Sequence, residues 1–190
     1  YDTRVVPNAS RLDIVNTLNQ LAREVGPNDS VTVYYAGHGY LNEKNNTGYW
    51  IPADASSSNP QGWISNNDIA KMLGNIPAKQ IMLVSDSCYS GSLTREQMTG
   101  ISGPVNTGAV LARRSVTVMS SGGNEPVSDE GKDGPSIFAY SLMNAVKNVQ
   151  AFEPATRVFE NVRNEVTREF PQQPQYGGVL SAGHDTGGEF

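Results

Sequence analysis

Between residues 11 and 25, Leu12, Val15, Leu18, Ala22 and Val25 fall three or four positions apart among polar neighbours. That spacing lines one face of an amphipathic helix, and Ser10 with Asp13 forms the start signal of a capping box. GPNDS then breaks the pattern. VTVYYA (31–36) is β-branched and aromatic and predicts a buried strand, running into GHG; TRVV (3–6) predicts a shorter one. YWIPAD predicts a short extended piece, where Pro52 opposes a central strand. SNNDIAKML (65–73) repeats the serine–acid signal and predicts a short helix, and KQIMLVS (79–85) predicts the next buried strand. Residues 92–114, rich in Gly, Ser, Thr and Asn, predict a long mobile loop. SVTVMSS (115–121) reads as a strand. Phe138, Leu142 and Ala145 mark a helix over 136–146, and Val158, Val162 and Val166 another over 155–170, whose charges form a solvated face.

Strands alternating with helices predict one α/β domain over residues 1–190, with a mostly parallel sheet covered on both faces. A chain of 190 residues with 37% hydrophobic content is long enough for one sizeable core. No run approaches the roughly 20 apolar residues that cross a bilayer, so no membrane partner is expected. No signal pattern opens the sequence, which leaves the compartment open: cytoplasmic, secreted or periplasmic. The net charge is −5 without a basic run, which argues against nucleic acid as a partner. One cysteine excludes an internal disulfide, and with two histidines it makes a poor zinc set. The sequence therefore requires no metal or cofactor.

That cysteine stands in SDSCYSG, straight after the apolar run IMLV. A packing cysteine belongs inside such a run, whereas Cys88 lies past it in a polar loop. His38 stands at the matching place after the earlier strand, between two glycines that leave the imidazole accessible. Active sites of parallel sheets lie beyond the carboxyl ends of the strands, where both residues fall. A thiol at neutral pH is only a few per cent thiolate unless assisted. An imidazole at the neighbouring strand end supplies that assistance, with a backbone carbonyl able to orient it. The N–H groups of Cys88 and Gly39 are placed to hold an oxyanion. Asp86 works against this pair: a carboxylate ~7 Å from a thiolate disfavours ionisation by ~2 kcal/mol at an effective dielectric of 20. It either caps loop amides or binds a cationic Arg or Lys side chain of a substrate.

VTVYYAGHGY, then IMLVSDSCYSGS, then VMSSGGNEPVSDEGKDGPSIFAYSLMNAV resemble the caspase-like cysteine peptidases, within them the metacaspase and bacterial orthocaspase branch. The closing YGGVLSAGHDTGGEF is similar to the tail of bacterial members. The resemblance implies a three-layer sandwich of the caspase/haemoglobinase-like fold and a His38–Cys88 dyad with Gly39 as oxyanion donor. It places Asp86 at the base of a pocket for Arg or Lys, since Ser87 and Asp86 stand where caspases proper carry Ala and Gln. It also implies that Ser120 and Ser121 line that pocket and that Asp129 or Asp133 adds charge. Arg95, Arg113 and Arg114 become possible self-cleavage points, and calcium an occasional requirement, although Asp54, Glu96 and Glu130 do not compose a calcium loop.

In that family a first strand and helix precede the segment with which this sequence opens, and the strand lies inside the sheet. The expectation is a domain completed by an N-terminal segment or another chain. Two other readings share the residue pattern: a legumain-like peptidase preferring Asn, and a catalytically silent interaction module of the same fold.

Overall fold

The computed structural model describes residues 2–56, 58–88, 93, 96–97, 106–123 and 134–190. Helix α1 (Arg11–Glu24) starts where the sequence signals it: the Asp13 N–H donates to Ser10 Oγ at 3.1 Å, and the Ser10 N–H to Asp13 Oδ2 at 3.0 Å. Strand β1 (Ser30–Ala36) follows, then an antiparallel group of β2 (His38–Asn42), β3 (Thr47–Ile51) and β4 (Ile64–Ser65). Next come α2 (Asn66–Gly74), β5 (Gln80–Asp86), β6 (Glu96–Gln97), α3 (Thr107–Ala112) and β7 (Ser115–Ser120). Helices α4 (Ile137–Lys147) and α5 (Ala155–Glu169) and strand β8 (Gln175–Gly178) follow, and two short 3-10 helices, Pro60–Gly62 and Leu180–Ala182, complete the described elements.

The central sheet runs β1-β5-β7-β8-β6; its first three strands are parallel, while β8 pairs antiparallel with both β7 and β6. Side chains alternate across β5, as strand geometry demands. Ile81 and Leu83 join Val31, Val116 and Val118 in a core shared with Leu73 of α2 and, more peripherally, Leu21 of α1. Met82 and Val84 face the other way, onto Phe138 of α4 and Phe159, Val162 and Val166 of α5. The result is a three-layer α/β sandwich. Each of these side chains contributes about 1.5–3 kcal/mol by leaving water, so β5, apolar toward both faces, anchors the sheet.

Four sequence expectations change. VTVYYA forms strand β1 but not a buried one: Val31 alone is buried, and Tyr34 is 49% exposed. TRVV forms no strand: Val5 is 81% exposed, and Arg4 turns to Glu24 instead. Three β-formers without a ladder partner do not hold an extended pairing. The 92–114 region is not loop throughout, for it contains β6 and helix α3, whose N-cap Asn106 accepts the Ala109 N–H at 3.1 Å. YWI belongs to β3, hydrogen-bonded to β2, and the strand stops at Ile51 immediately before Pro52.

Strand β1 pairs with β5 on one side only among the described residues. Its other side borders a groove of about 810 Å3 that is also lined by α1 and by parts of the segment 2–9, and reaches His38. No helix of the described residues is long and apolar enough to cross a membrane.

Candidate active site

The β1–β5 register ends with Ala36 opposite Asp86. His38 and Cys88 each stand two residues further on, so two adjacent parallel strands deliver them to the same rim of the sheet. The Gly37 N–H still reaches the Asp86 carbonyl, at 3.4 Å. Beyond it the chains come closer: a Cβ placed on Gly39 would overlap the Cys88 carbonyl oxygen. Gly37 is hemmed in similarly, since a Cβ there would lie 2.7 Å from the Tyr35 hydroxyl. Neither glycine has a positive φ among the described backbone. What GHG supplies is therefore close approach rather than an unusual dihedral.

Tyr35 fixes the histidine loop. Its ring stacks on Trp50 with centroids 3.9 Å apart, and its hydroxyl donates to the His38 carbonyl at 2.9 Å. Burial pushes this phenol up to about 12, which keeps it a donor. The imidazole is exposed, and Cys88 is a half-exposed free thiol.

Asp86 is partly buried at the end of β5. Its Oδ2 accepts from Tyr34 at 3.0 Å and from Ser136 at 2.6 Å. Ser136 is also the N-cap of α4, accepting the Ala139 N–H at 3.0 Å. The carboxylate is thus fastened between β1 and the start of a helix, where the helix dipole favours negative charge. Burial, then the Asp86 charge, raises the Tyr34 phenol well above its usual range, so it too remains a donor. Neither Tyr34 nor Ser136 stood out in the sequence, being 52 and 50 residues from Asp86. The one signal was the serine opening the 136–146 helix, which predicts a cap but not its second partner.

Ser120 and Ser121 are fully buried, and their hydroxyls donate to the carbonyls of Gly122 (3.0 Å) and Ser87 (3.3 Å). Ser85 and Ser87, also buried, join their hydroxyls at 3.1 Å. Arg113 caps α3 and donates to the Thr186 carbonyl at 3.0 Å. Arg114 leads into β7 with its guanidinium on the carbonyls of Ala78 (2.6 Å) and Ile76 (3.0 Å). Asp129, Asp133 and Arg95 lie outside the described residues. Asp54 accepts the Arg11 N–H at 2.8 Å, and no cluster of three His, Cys, Asp or Glu suited to a metal occurs among the described residues.

A mostly parallel α/β sandwich carrying His and Cys at adjoining strand ends has the architecture of the caspase-like fold. Many solved chains share it. One is protein GSU0716 from Geobacter sulfurreducens, whose crystal structure matches with a TM-score of 0.62 and 15% identity over 90% of this chain and 74% of that one. No curated protein matches the sequence. The family model of the caspase domain matches residues 1–181. The chain belongs to the caspase-domain family, a family of cysteine peptidases.

Proposed function

We propose that this protein is a cysteine endopeptidase that cleaves after Arg or Lys, of the metacaspase or orthocaspase type. The observation that carries the reading is the shared offset of His38 and Cys88 beyond the Ala36–Asp86 rung. The imidazole of His38 takes the thiol proton as Sγ of Cys88 adds to the scissile carbonyl carbon. The N–H groups of Cys88 and Gly39 receive the negative oxygen. When the C–N bond breaks, His38 returns its proton to the leaving amine, and a thioester remains on Cys88. Water then attacks that thioester, His38 accepting its proton and passing one back to sulfur as the acid product leaves.

Asp86 supplies the preference. Its Oδ2 is held by two donors while Oδ1 remains for a substrate cation. Self-processing fits the same chemistry. Arg95, Arg113 and Arg114 are its candidate points; cleavage at either of the last two must first release a guanidinium held by backbone carbonyls. The resemblance also puts the family's first strand beside β1. The groove along the side of β1 that has no partner among the described residues supports a completing segment or chain as a partner.

The test is a panel of short peptide reporters ending in Arg, Lys, Asn or Asp, with wild type and Cys88→Ala. Turnover of the Arg and Lys reporters by wild type alone is expected. Turnover confined to Asn supports the legumain-like alternative, and turnover of Asp alone defeats the argument from Asp86. No turnover together with no thiol labelling supports the silent module. Intact mass after incubation, compared between the same two proteins, reads self-cleavage directly.

A further inference from the structure

We infer that Ser121 is a positioning residue for the reaction, acting by holding the peptide group whose N–H receives the oxyanion; the inference rests on the reading of Cys88 as the nucleophile. The β5–β7 ladder ends at Ser85 opposite Ser120. One residue further, the Ser121 N–H donates to the Ser85 carbonyl at 3.0 Å, and its hydroxyl reaches past the end of β5 to the Ser87 carbonyl at 3.3 Å. A side chain thus adds a cross-strand bond beyond the ladder, at the point where the chain leaves the sheet for the nucleophile.

That carbonyl belongs to the Ser87–Cys88 peptide. A trans peptide is planar, with C=O and N–H pointing in opposite directions. Pinning the Ser87 oxygen toward Ser121 in the buried layer therefore aims the Cys88 N–H the other way. The next peptide group, which carries the Cys88 carbonyl, is bounded by Gly39, whose Cα packs so closely on that oxygen that no Cβ fits. Rotation of either peptide plane about Cys88 is opposed by one of these contacts. Ser121 is itself secured, being fully buried, with its own carbonyl accepting from Gln172 Nε2 at 2.9 Å. Its hydroxyl is committed inward, so its effect on catalysis travels through the backbone and not through contact with substrate.

An oxyanion donor acts only when aimed at the developing charge, and loss of one costs about 10²–10³ in kcat. A donor left in place but free to swing should cost less, on the order of 10- to 100-fold. The experiment compares wild type, Ser121→Ala, Ser121→Thr and Cys88→Ala. It measures kcat and KM on the Arg reporter, the inhibition constant of a peptide aldehyde ending in Arg, and the rate of Cys88 alkylation by iodoacetamide. The aldehyde adds the Cys88 sulfur to its carbonyl carbon, and the oxygen of that adduct occupies the oxyanion position. Alkylation expels iodide and forms no such oxygen. Ser121→Ala is expected to lower kcat and weaken the aldehyde by the same factor, with KM and alkylation rate within about twofold of wild type. Ser121→Thr, which keeps the hydroxyl, is expected to restore part of both losses.

Unchanged kcat and aldehyde affinity in Ser121→Ala would overturn the inference. So would a fall in alkylation equal to the fall in kcat, which marks a displaced thiol rather than a mis-aimed N–H. A wild type without turnover, or a Cys88→Ala variant that retains it, removes the nucleophile reading and this inference with it.

Discussion

Asp86 sits two positions before the proposed nucleophile, where its charge opposes a thiolate. The structure gives that charge partners of its own in Tyr34 and Ser136. Removing the carboxylate with Asp86→Ala should abolish turnover of basic reporters while Cys88 still reacts with iodoacetamide. His38→Ala should depress both. Tyr34→Phe deletes one of the two donors on Oδ2, a bond to a charged acceptor worth roughly 1.5 kcal/mol. KM for Arg and Lys reporters should then rise up to about tenfold, with kcat nearly unchanged. Gly39→Ala must push the Cys88 carbonyl aside, and a shift near 1 Å at a reacting group costs on the order of 10²-fold. Its melting temperature should stay within a few degrees of wild type; turnover near the wild-type rate would show that the two backbones do not meet as described. His38, Cys88 and Asp86 were legible because each sits beside a readable strand end. Tyr34 and Ser136 were not, since strand and cap patterns carry no information about contacts across half a hundred residues.

At the scale of elements, β1, β5 and β7 were plain from their strand-forming runs, α1, α4 and α5 from their periodicity, and α2 from its serine–acid start. Strand β8 was not, because QYGG has little β-propensity and becomes a strand by pairing with β7. Gly178 within it leaves room for the ring of His184, which accepts the Val116 N–H at 3.1 Å. The chain after β8 returns to the helical layer through Glu189, a buried acid that accepts from Tyr176 of β8 at 2.6 Å and from Thr156 of α5. Burial raises its pKa above the usual carboxylate range. The folded state therefore holds the Glu189 proton more tightly than the unfolded state does. Its contribution to stability is complete below the ordinary value of 4.5 and is lost as pH rises through the raised one. Glu189→Gln keeps a hydrogen-bonding group without the ionisation. Melting curves across this window should show the wild type losing stability relative to the variant as pH increases. Parallel pH profiles would mean that Glu189 is equally ionised in both states.

Over the whole molecule, protection should be graded across the sheet. Strand β5 is flanked on both sides and buried on both faces, whereas β1 has one described partner and an open groove beside it. Hydrogen exchange should find the β5 amides slowest and those of β1 markedly faster. Equal protection of the two would indicate that the outer edge of β1 is already covered. The sequence conveyed the alternation of layers and the rim on which His38 and Cys88 fall. It did not convey how the sheet closes at β8 and β6, where pairing is set by the fold rather than by local preference.

The most direct test of the proposed dyad and its acidic neighbour is a mass measurement after reaction with an acyloxymethyl ketone peptide ending in Arg, set beside the same peptide ending in Asp. The account predicts one adduct from the Arg reagent, located on Cys88 and lost in both His38→Ala and Asp86→Ala, with little from the Asp reagent. Equal labelling by the two reagents, or Arg labelling that persists without His38 and Asp86, would contradict it.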